Sequence, residues 1–390
     1  IITKQSYHLS YLALWPIFIV YYDDIFSHFN KSSKFVQIFI GACGGALAYY
    51  GAYNLGAIKI TDASVANLIG FTFVFWGIFF PLSLKVYSQD VIGKILDFSV
   101  IFSFDRTGYQ RHKKIYAKQF KRSIFEKKYA LVTGGTSGIG FATCMELAKL
   151  NVNVETIGRN IDKGNSLQQS NPNINFEPLD LADWEAVENY SNKSIRFDFV
   201  VLNAGGMPNN KEVNKQGVEL QMASQLIGHY LLIENLRKQK KLNKGCRIVW
   251  VSSGGMYLKS LDLESLLNNF NYDKVSTYAN VKRAQVTLVE ELSKSTVWRD
   301  FVITAMHPGW VKTAGLDEAL PGFVAKFKNR LRSPEEGAAT IIWLLLTESK
   351  LKRGGFYFDW HLVSPYLFGL FNPSRKQREQ LLKIVYDRAL

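Results

Sequence analysis

The sequence has little cysteine, and none of it is arranged in pairs. Cys43, Cys144 and Cys246 are scattered over 390 residues without a C-x-x-C motif. This excludes a disulfide framework and a zinc site built from paired cysteines. Internal repeats and low-complexity tracts are also missing. We therefore expect reduced thiols and no metal site.

A pattern typical of nucleic-acid binding is missing as well. The chain carries a formal net charge of +14, but its Lys and Arg residues do not alternate repeatedly with aromatic residues. We therefore expect no nucleic-acid partner. The positive charge concentrates between Arg106 and Lys128, directly after a hydrophobic region. A basic segment in that place is typical of a juxtamembrane flank that faces anionic lipid.

Two uncharged runs, residues 36–58 and 63–84, are each long enough to cross a lipid bilayer. A pair of buried core helices is the alternative, but the lack of charge over such lengths favours a transmembrane hairpin. Residues 91–104 predict an amphipathic helix on the membrane surface. We therefore expect a membrane region over residues 1–105 and a basic juxtamembrane linker over residues 106–127.

Positive charge flanks the predicted hairpin on both sides, at Lys31 and Lys34 before it and in the basic linker after it. By the positive-inside rule, both flanks and everything after them face the cytosol or the mitochondrial matrix. The sequence starts at Ile1 instead of Met, which leaves a removed targeting segment open. On that ground we expect the mitochondrial inner membrane in preference to the endoplasmic reticulum.

From Lys128 onward, short β-branched runs alternate with helical patterns. The runs read Y-A-L-V-T, V-N-V-E-T-I, F-D-F-V-V-L and R-I-V-W-V. This alternation predicts an α/β domain with a doubly wound parallel sheet over residues 128–365. Residues 366–390 predict a C-terminal helix with Asn372 or Ser374 as its N-cap.

The stretch T-G-G-T-S-G-I-G, residues 133–140, follows the first predicted strand and opens a helix, as a dinucleotide-binding loop requires. Gly134 permits the tight turn, and Gly138 and Gly140 let the backbone approach a pyrophosphate. The helix N-terminus then meets the phosphates with free N–H groups. Arg159, at the end of the next strand, would pair with a 2′-phosphate. We therefore expect NADP(H) in preference to NAD(H), although a surface arginine at a strand end is common.

Two further strand ends carry candidate cofactor contacts. Asp180 in P-L-D-L and the run L-N-A-G, residues 202–205, end the predicted third and fourth strands. Ligands of open α/β sheets bind outside the carboxyl ends of the strands. A solvated carboxylate and a simple glycine turn are the alternatives.

The candidate chemistry lies in the stretches R-I-V-W-V-S-S-G-G-M and S-T-Y-A-N-V-K. Ser252 and Ser253 end the fifth strand, where a hydroxyl can bind a substrate oxygen. Tyr278 can give a proton to a carbonyl, but a phenol has a pKa of about 10 and needs help near neutrality. Lys282, one helical turn further along, supplies the positive charge that favours the phenolate.

These motifs, together with H-P-G-W-V-K-T, resemble the short-chain dehydrogenase/reductase family in their order. The resemblance implies a Rossmann-type domain in which Ser253 polarises the substrate carbonyl, Tyr278 is the general acid/base and Lys282 is its partner. It also implies the residues that line the cofactor. These are Gly134, Ser137, Gly138, Ile139, Gly140, Arg159, Asp180, Asn203, Ala204, Gly205, Tyr278, Lys282, Pro308, Gly309 and Thr313.

One position departs from the family pattern. The family usually has Asn where this sequence has Gln225, and that Asn is associated with a water-linked proton relay to the lysine. Gln carries the same amide with one more methylene. Gln225 therefore either lengthens or breaks the relay, or is tolerated in an active enzyme.

Two functions remain open from the sequence. The first is a membrane-anchored NADP(H)-dependent oxidoreductase that interconverts a carbonyl and an alcohol on a lipophilic substrate. Apolar residues after Thr313, among them Leu316, Leu320 and Phe323, suggest such a substrate. The second is an accessory structural subunit of a membrane complex, for example a respiratory one. Its partners would be other subunits of that complex, and it would keep the fold and the bound nucleotide with little or no activity.

Overall fold

The structure is a computed structural model with two compact units, residues 1–100 and 101–390. It describes residues 28–29, 31–56, 64–88, 93, 96–97, 100–117, 127–190, 195–268 and 271–389. Residues 91, 92, 94, 95, 98 and 99 of the predicted amphipathic stretch and the whole basic run 118–126 lie outside the described residues. The same holds for residues 57, 58 and 63 of the predicted spans.

The first unit contains two apolar helices, α1 (Lys34–Asn54) and α2 (Val65–Ser88). By length and composition both could cross a membrane. A Cβ atom on Gly41 would lie 2.5 Å from the Trp76 carbonyl oxygen, and one on Gly45 would lie 2.3 Å from the Trp76 ring. The small residues therefore let the two helices touch. Many large apolar side chains of this pair are exposed, unlike those of buried core helices. Examples are Phe35, Phe39, Leu47, Phe71, Val74 and Ile78.

The second unit is built on an eight-stranded sheet with the order β3-β2-β1-β4-β5-β6-β7-β8. Its strands are β1 (Tyr129–Thr133), β2 (Asn153–Gly158), β3 (Ile174–Pro178), β4 (Phe197–Leu202), β5 (Leu242–Val251), β6 (Val302–Met306), β7 (Phe356–Phe358) and β8 (His361–Val363). Strands β1 to β7 pair in parallel with one another, and β8 is antiparallel to β7. The predicted doubly wound α/β fold is confirmed.

Helices cover both faces of this sheet. They are α3 (Val100–Phe104), α4 (Arg106–Tyr116), α5 (Gly138–Lys149), α6 (Ile161–Ser170), α7 (Trp184–Tyr190), α8 (His229–Lys238), α9 (Leu263–Leu267), α10 (Lys274–Lys294), α11 (Ala314–Ala319), α12 (Pro321–Phe327), α13 (Pro334–Leu346) and α14 (Arg375–Ala389). Successive strand residues point to opposite faces. Leu131 therefore packs in the core that includes α8 and α10, while Ala130 and Val132 pack in the core that includes α5 and α13.

Helix α4 belongs to this second unit, although it lies in the segment predicted as a linker. Gly108, Tyr109 and His112 form its buried face. The Tyr109 ring lies 5.2 Å from the Trp360 ring, and Asp105 caps the N-terminus of the helix. The first part of the basic segment is therefore folded against the sheet.

The C-terminal helix, α14, lies within the predicted segment 366–390. Of its two candidate caps, Ser374 accepts a hydrogen bond from the Gln377 N–H. Leu381 and Val385 are fully buried in the core. This amphipathic burial holds the helix on the domain.

Candidate active site

The glycine loop joins β1 to α5 and leaves the start of that helix open. Gly134 and Gly138 adopt φ +71° and +54°, a region that favours glycine. A Cβ atom on Gly134 would lie 2.9 Å from the Ala204 Cα atom. Ser137, the N-cap residue of α5, makes no side-chain capping hydrogen bond. The first N–H groups of α5 can therefore bind an anion such as a dinucleotide pyrophosphate.

Hydrogen bonds connect the turn after β4 with Thr133, the first residue of the glycine loop. The Thr133 hydroxyl accepts hydrogen bonds from the backbone N–H groups of Asn203 and Ala204, each at 2.9 Å. The Asn203 side chain donates to the Thr133 carbonyl oxygen at 3.1 Å. These bonds bring two predicted cofactor residues beside Gly134.

His229 completes this support as a neutral side chain. Its Nε2 atom lies 2.8 Å from the Thr133 hydroxyl and its Nδ1 atom lies 3.0 Å from the Gln225 carbonyl oxygen. Burial lowers the pKa of His229 to about 3. Thr133 already accepts two N–H groups, so its proton goes to Nε2 and the Nδ1–H donates to Gln225. No motif in the sequence predicted that His229 lies under the glycine loop.

The loop after β6 meets the glycine loop at Thr313. A Cβ atom on Gly138 would lie 2.9 Å from the Thr313 Cγ2 atom. Thr313 caps α11 through its hydroxyl. Gly309 adopts φ +78°, and Pro308 donates nothing but offers its carbonyl oxygen to Arg332. The structure therefore brings Thr313 and the glycine loop together, and their contact with a cofactor stays a prediction.

Arg159 and Asp180, the residues predicted to contact the adenosine half of the cofactor, follow the carboxyl ends of β2 and β3. Arg159 is exposed directly after β2, and its neighbour Gly158 lies beside Thr136 of the glycine loop. Asp180 follows β3 and accepts a hydrogen bond from the Ala182 N–H at 2.9 Å. An exposed guanidinium in this position can reach a ligand phosphate without breaking an internal contact.

Ser253, Tyr278 and Lys282 come together at the carboxyl end of β5. Tyr278 is partly exposed on α10. Desolvation raises the pKa of Tyr278 to about 12, and a hydrogen bond with Ser253 opposes that rise. The neighbouring Ser252 is buried and donates to the Lys282 carbonyl oxygen at 3.0 Å. Of the two serines, Ser253 therefore faces the Tyr278 hydroxyl and Ser252 holds α10 to the strand.

Lys282 is placed to act on Tyr278 by charge. Its Nζ atom lies 5.2 Å from the centre of the Tyr278 ring and donates to the Val251 carbonyl oxygen at 3.0 Å. Only 3% of Lys282 is exposed. Burial lowers the pKa of Lys282 to about 7. A nearby anion would therefore change the protonation of this lysine near neutral pH.

Comparison with known proteins shows the family to which the chain belongs. A model described as short chain dehydrogenase matches residues 128–321. Dehydrogenase/reductase SDR family member 12 of Homo sapiens is 32% identical over 300 residues, which cover 73% of this chain and 94% of that protein. The chain belongs to the short-chain dehydrogenase/reductase family.

Other relatives extend this result. A polyprenol dehydrogenase of Danio rerio is 32% identical and covers 59% of this chain and 77% of its own length. A crystal structure of an uncharacterized Mycobacterium Paratuberculosis protein shares the fold with a TM-score of 0.55, at 20% identity over 69% of this chain and 95% of that chain. A second model, described as a protein of unknown function, matches residues 7–82. The short-chain dehydrogenase/reductase match thus lies C-terminal to a separately matched region.

Gln225, the departure from the short-chain dehydrogenase/reductase pattern, lies in a π-helical turn, Met222–Gly228. Its Nε2 atom donates to the Gly206 carbonyl oxygen at 2.7 Å, and its Oε1 atom has no partner among the described residues. Its carbonyl oxygen accepts from Gln285 at 2.6 Å as well as from His229. Gln225 therefore holds the turn after β4, and its part in a proton relay stays a prediction.

A cluster of buried ionisable residues lies beside the site of this short-chain dehydrogenase/reductase, and the family motifs did not predict it. Asp105 and Arg332 are fully buried close to Pro308 and Gly309. Arg332 forms two hydrogen bonds with Asp359, at 2.6 and 2.8 Å. His112 lies 2.7 Å from the same carboxylate. Although burial favours the neutral acid, the charge of Arg332 and the hydrogen bond from His112 lower the pKa of Asp359.

Proposed function

We propose that the protein is a membrane-anchored NADP(H)-dependent oxidoreductase that interconverts a carbonyl and an alcohol on a lipophilic substrate. The observation that carries this proposal is the meeting of Ser253, Tyr278 and Lys282 at the end of β5. The neighbouring parallel strands β4 and β1 end in the L-N-A-G turn and the glycine loop. The proton donor and the cofactor loop therefore share one edge of the sheet.

The glycine loop, the open start of α5 and Thr313 fit a dinucleotide, which supplies the hydride when it is bound. Ser253 donates a hydrogen bond to the substrate carbonyl oxygen. Tyr278 gives its phenolic proton to that oxygen as negative charge develops on it. The Lys282 cation stabilises the resulting phenolate. In the reverse direction, the Tyr278 phenolate takes the proton from the alcohol.

Arg159 supports the preference for NADP(H). Its replacement by glutamine should weaken NADPH binding about tenfold or more, because a hydrogen-bonded charge pair contributes about 1.5–3 kcal/mol. NADH binding should be almost unchanged. Titration of protein fluorescence with each nucleotide measures both affinities. Arg299→Gln is the control. Arg299 is exposed just before β6, at the amino-terminal ends of the strands and therefore on the side away from the glycine loop. An equal loss for NADPH and NADH would refute the assignment.

The proposed role of Lys282 can be tested through the pH dependence of cofactor binding. With a pKa of about 7 it is mostly neutral at a pH of about 8. The phosphates of a bound dinucleotide should raise this pKa, so binding at that pH should take up as much as one proton. The uptake should disappear below a pH of about 6, where Lys282 is already charged. Calorimetry in buffers of different ionisation enthalpy measures it. The Lys282→Met variant should bind without this uptake, and an unchanged uptake would contradict the proposed role.

The lipophilic substrate and the membrane anchor rest on separate observations. Trp310, Phe323 and Phe327 form an aromatic cluster after β6, with ring centres 4.8–5.0 Å apart. The relative from Danio rerio is named for a polyprenol, which is a lipid alcohol. Helices α1 and α2 are long and apolar enough to span a bilayer, which would hold the enzyme near such substrates. By the positive-inside rule, the basic flanks of these helices would place the catalytic domain on the cytosolic or the matrix side of its membrane.

An activity assay tests the function. The full chain in lipid vesicles is supplied with NADPH and with aldehydes and ketones of increasing chain length, and nicotinamide oxidation is followed. Turnover should increase with the apolar length of the carbonyl compound, since longer chains bury more area. Bound NADPH without turnover on any carbonyl would contradict the enzyme and favour the accessory subunit.

A further inference from the structure

Residues Ser103–Arg106, here called the anchor segment, lie across both ends of the lid, Thr313–Arg330. This segment precedes the matched family domain by more than twenty residues. The Trp310 N–H, just before the lid, donates to the Phe104 carbonyl oxygen at 2.9 Å. The Arg106 N–H donates to the Arg330 carbonyl oxygen at 2.8 Å. Backbone bonds therefore connect the anchor segment with the chain as it enters and as it leaves the lid.

Asp105 adds a charged contact to the end of the lid. Its carboxylate is fully buried, and its Oδ2 atom accepts from the Arg330 Nε at 2.7 Å. Its Oδ1 atom accepts from the N–H groups of Thr107 and Gly108, at 2.9 and 3.0 Å. One carboxylate thus holds the start of α4 with one oxygen and the end of the lid with the other. A charge-assisted bond of this kind is stronger than one between neutral groups.

Arg332 and Phe104 hold the anchor segment in place. Arg332 donates to the carbonyl oxygens of Ser103 at 3.0 Å, Asp105 at 3.1 Å and Pro308 at 3.2 Å. The Phe104 ring lies against Gly254, where a Cβ atom would come within 2.4 Å of it. Gly254 directly follows Ser253. The anchor segment is therefore wedged between the serine turn and the loop that carries the predicted nicotinamide contacts.

We propose that Asp105 is a positioning residue that acts through Arg330 to hold the lid closed at its base over the active site. Among the described residues, the side-chain ion pair that connects the anchor segment with the lid is the one between Asp105 and Arg330. These two residues lie 225 positions apart in the sequence. Its loss should let the lid open more often while the glycine loop stays intact. The effect on catalysis rests on the proposed function, whereas the effect on lid opening does not.

Limited proteolysis tests the lid without any activity. Lys326 and Lys328 are exposed in the lid and are sites for trypsin. Asp105→Asn keeps an oxygen for capping α4 but removes the charge that faces Arg330, and Arg330→Gln removes the same pair from the other side. Cleavage at the two lysines should become about tenfold faster in each variant, because cleavage follows the population of the open state. The double variant should be cleaved no faster than either single one.

Arg375→Gln is the matched control, because its ion pair with Glu379 is exposed on α14. Cleavage sites are mapped by mass spectrometry on the full chain in detergent. Unchanged cleavage at Lys326 and Lys328 in both variants overturns the proposal. A rise that is equal at tryptic sites throughout the protein and accompanied by a lower Tm also overturns it, since that is general destabilisation.

The kinetic arm uses the carbonyl substrate found in the activity assay. Both variants should raise the KM for that carbonyl about tenfold, since a lid that is open more often holds substrate less well. The NADPH affinity should stay unchanged, because the glycine loop does not touch Asp105 or Arg330 in the described contacts. An unchanged KM together with weaker NADPH binding overturns the proposal. If the wild-type protein turns over no carbonyl, the proposed function fails and the proteolysis result still decides the role of Asp105.

Discussion

Replacing Tyr278 by phenylalanine should reduce carbonyl turnover at least about a hundredfold, the usual contribution of a positioned general acid. The change removes only the hydroxyl that hydrogen-bonds Ser253, while the ring beside Lys282 remains. NADPH affinity should therefore change little. Steady-state rates and nucleotide titration on the same preparation separate the two effects.

Tyr386→Phe provides the control for this experiment. Tyr386 lies on α14, packed against Tyr230 at a ring distance of 5.6 Å and away from the serine turn. Its replacement should leave turnover and affinity unchanged. If Tyr278→Phe kept a tenth or more of the wild-type rate, another group or water would be the proton donor.

Replacing Arg332 by methionine should destabilise the second unit by about 3–5 kcal/mol, the cost of leaving one partner of a buried ion pair alone. Asp359 would lose both of its hydrogen bonds from the guanidinium and keep only that from His112. The carbonyl oxygens of Ser103, Asp105 and Pro308 would each lose the hydrogen bond that Arg332 donates. Thermal unfolding of the protein in detergent should show a markedly lower Tm.

A second substitution distinguishes the buried charge from lost packing. In Arg332→Met with Asp359→Leu, the unpaired carboxylate is gone, and part of the stability should return. Arg375→Met on the exposed face of α14 should leave the Tm unchanged. A Tm for Arg332→Met equal to that of Arg375→Met would show that the buried pair contributes nothing to stability.

The parallel sheet could be predicted because its strands are short, β-branched and separated by helical patterns. V-N-V-E-T-I became β2 and F-D-F-V-V-L became β4, and the glycine loop fell between a strand and a helix as required. These features depend on local sequence. The L-N-A-G turn and Thr313 could be placed near that loop only through the carboxyl ends of parallel strands.

The turn between β7 and β8 could not be predicted. It is made by Asp359 and Trp360, both with positive φ, where glycine or asparagine would be the usual signal. Asp359 accepts this conformation in a buried network whose partners, His112 and Arg332, lie 247 and 27 positions away. No local pattern connects residues at such separations.

Helix α4 was hidden by its charge. The basic residues of R-T-G-Y-Q-R-H-K-K-I-Y favoured a juxtamembrane linker. The buried residues Tyr109 and His112 are nevertheless three positions apart, and partly buried Tyr116 follows four later, which is the spacing of a helix with one packed face. Counting apolar and aromatic spacing separately from charge would have revealed this helix.

The anchor segment also decides where the protein can be cut. A truncated protein that begins at Lys128, where the family match starts, would contain every motif of the candidate active site. It would nevertheless lack Phe104, which lies against Gly254, and the acceptors that Ser103 and Asp105 offer to Arg332. The buried guanidinium would face an open gap beside Pro308. A protein without the apolar helices should therefore keep the chain from residue 101 onward. It would then retain the anchor segment, which contacts Gly254 and Arg332.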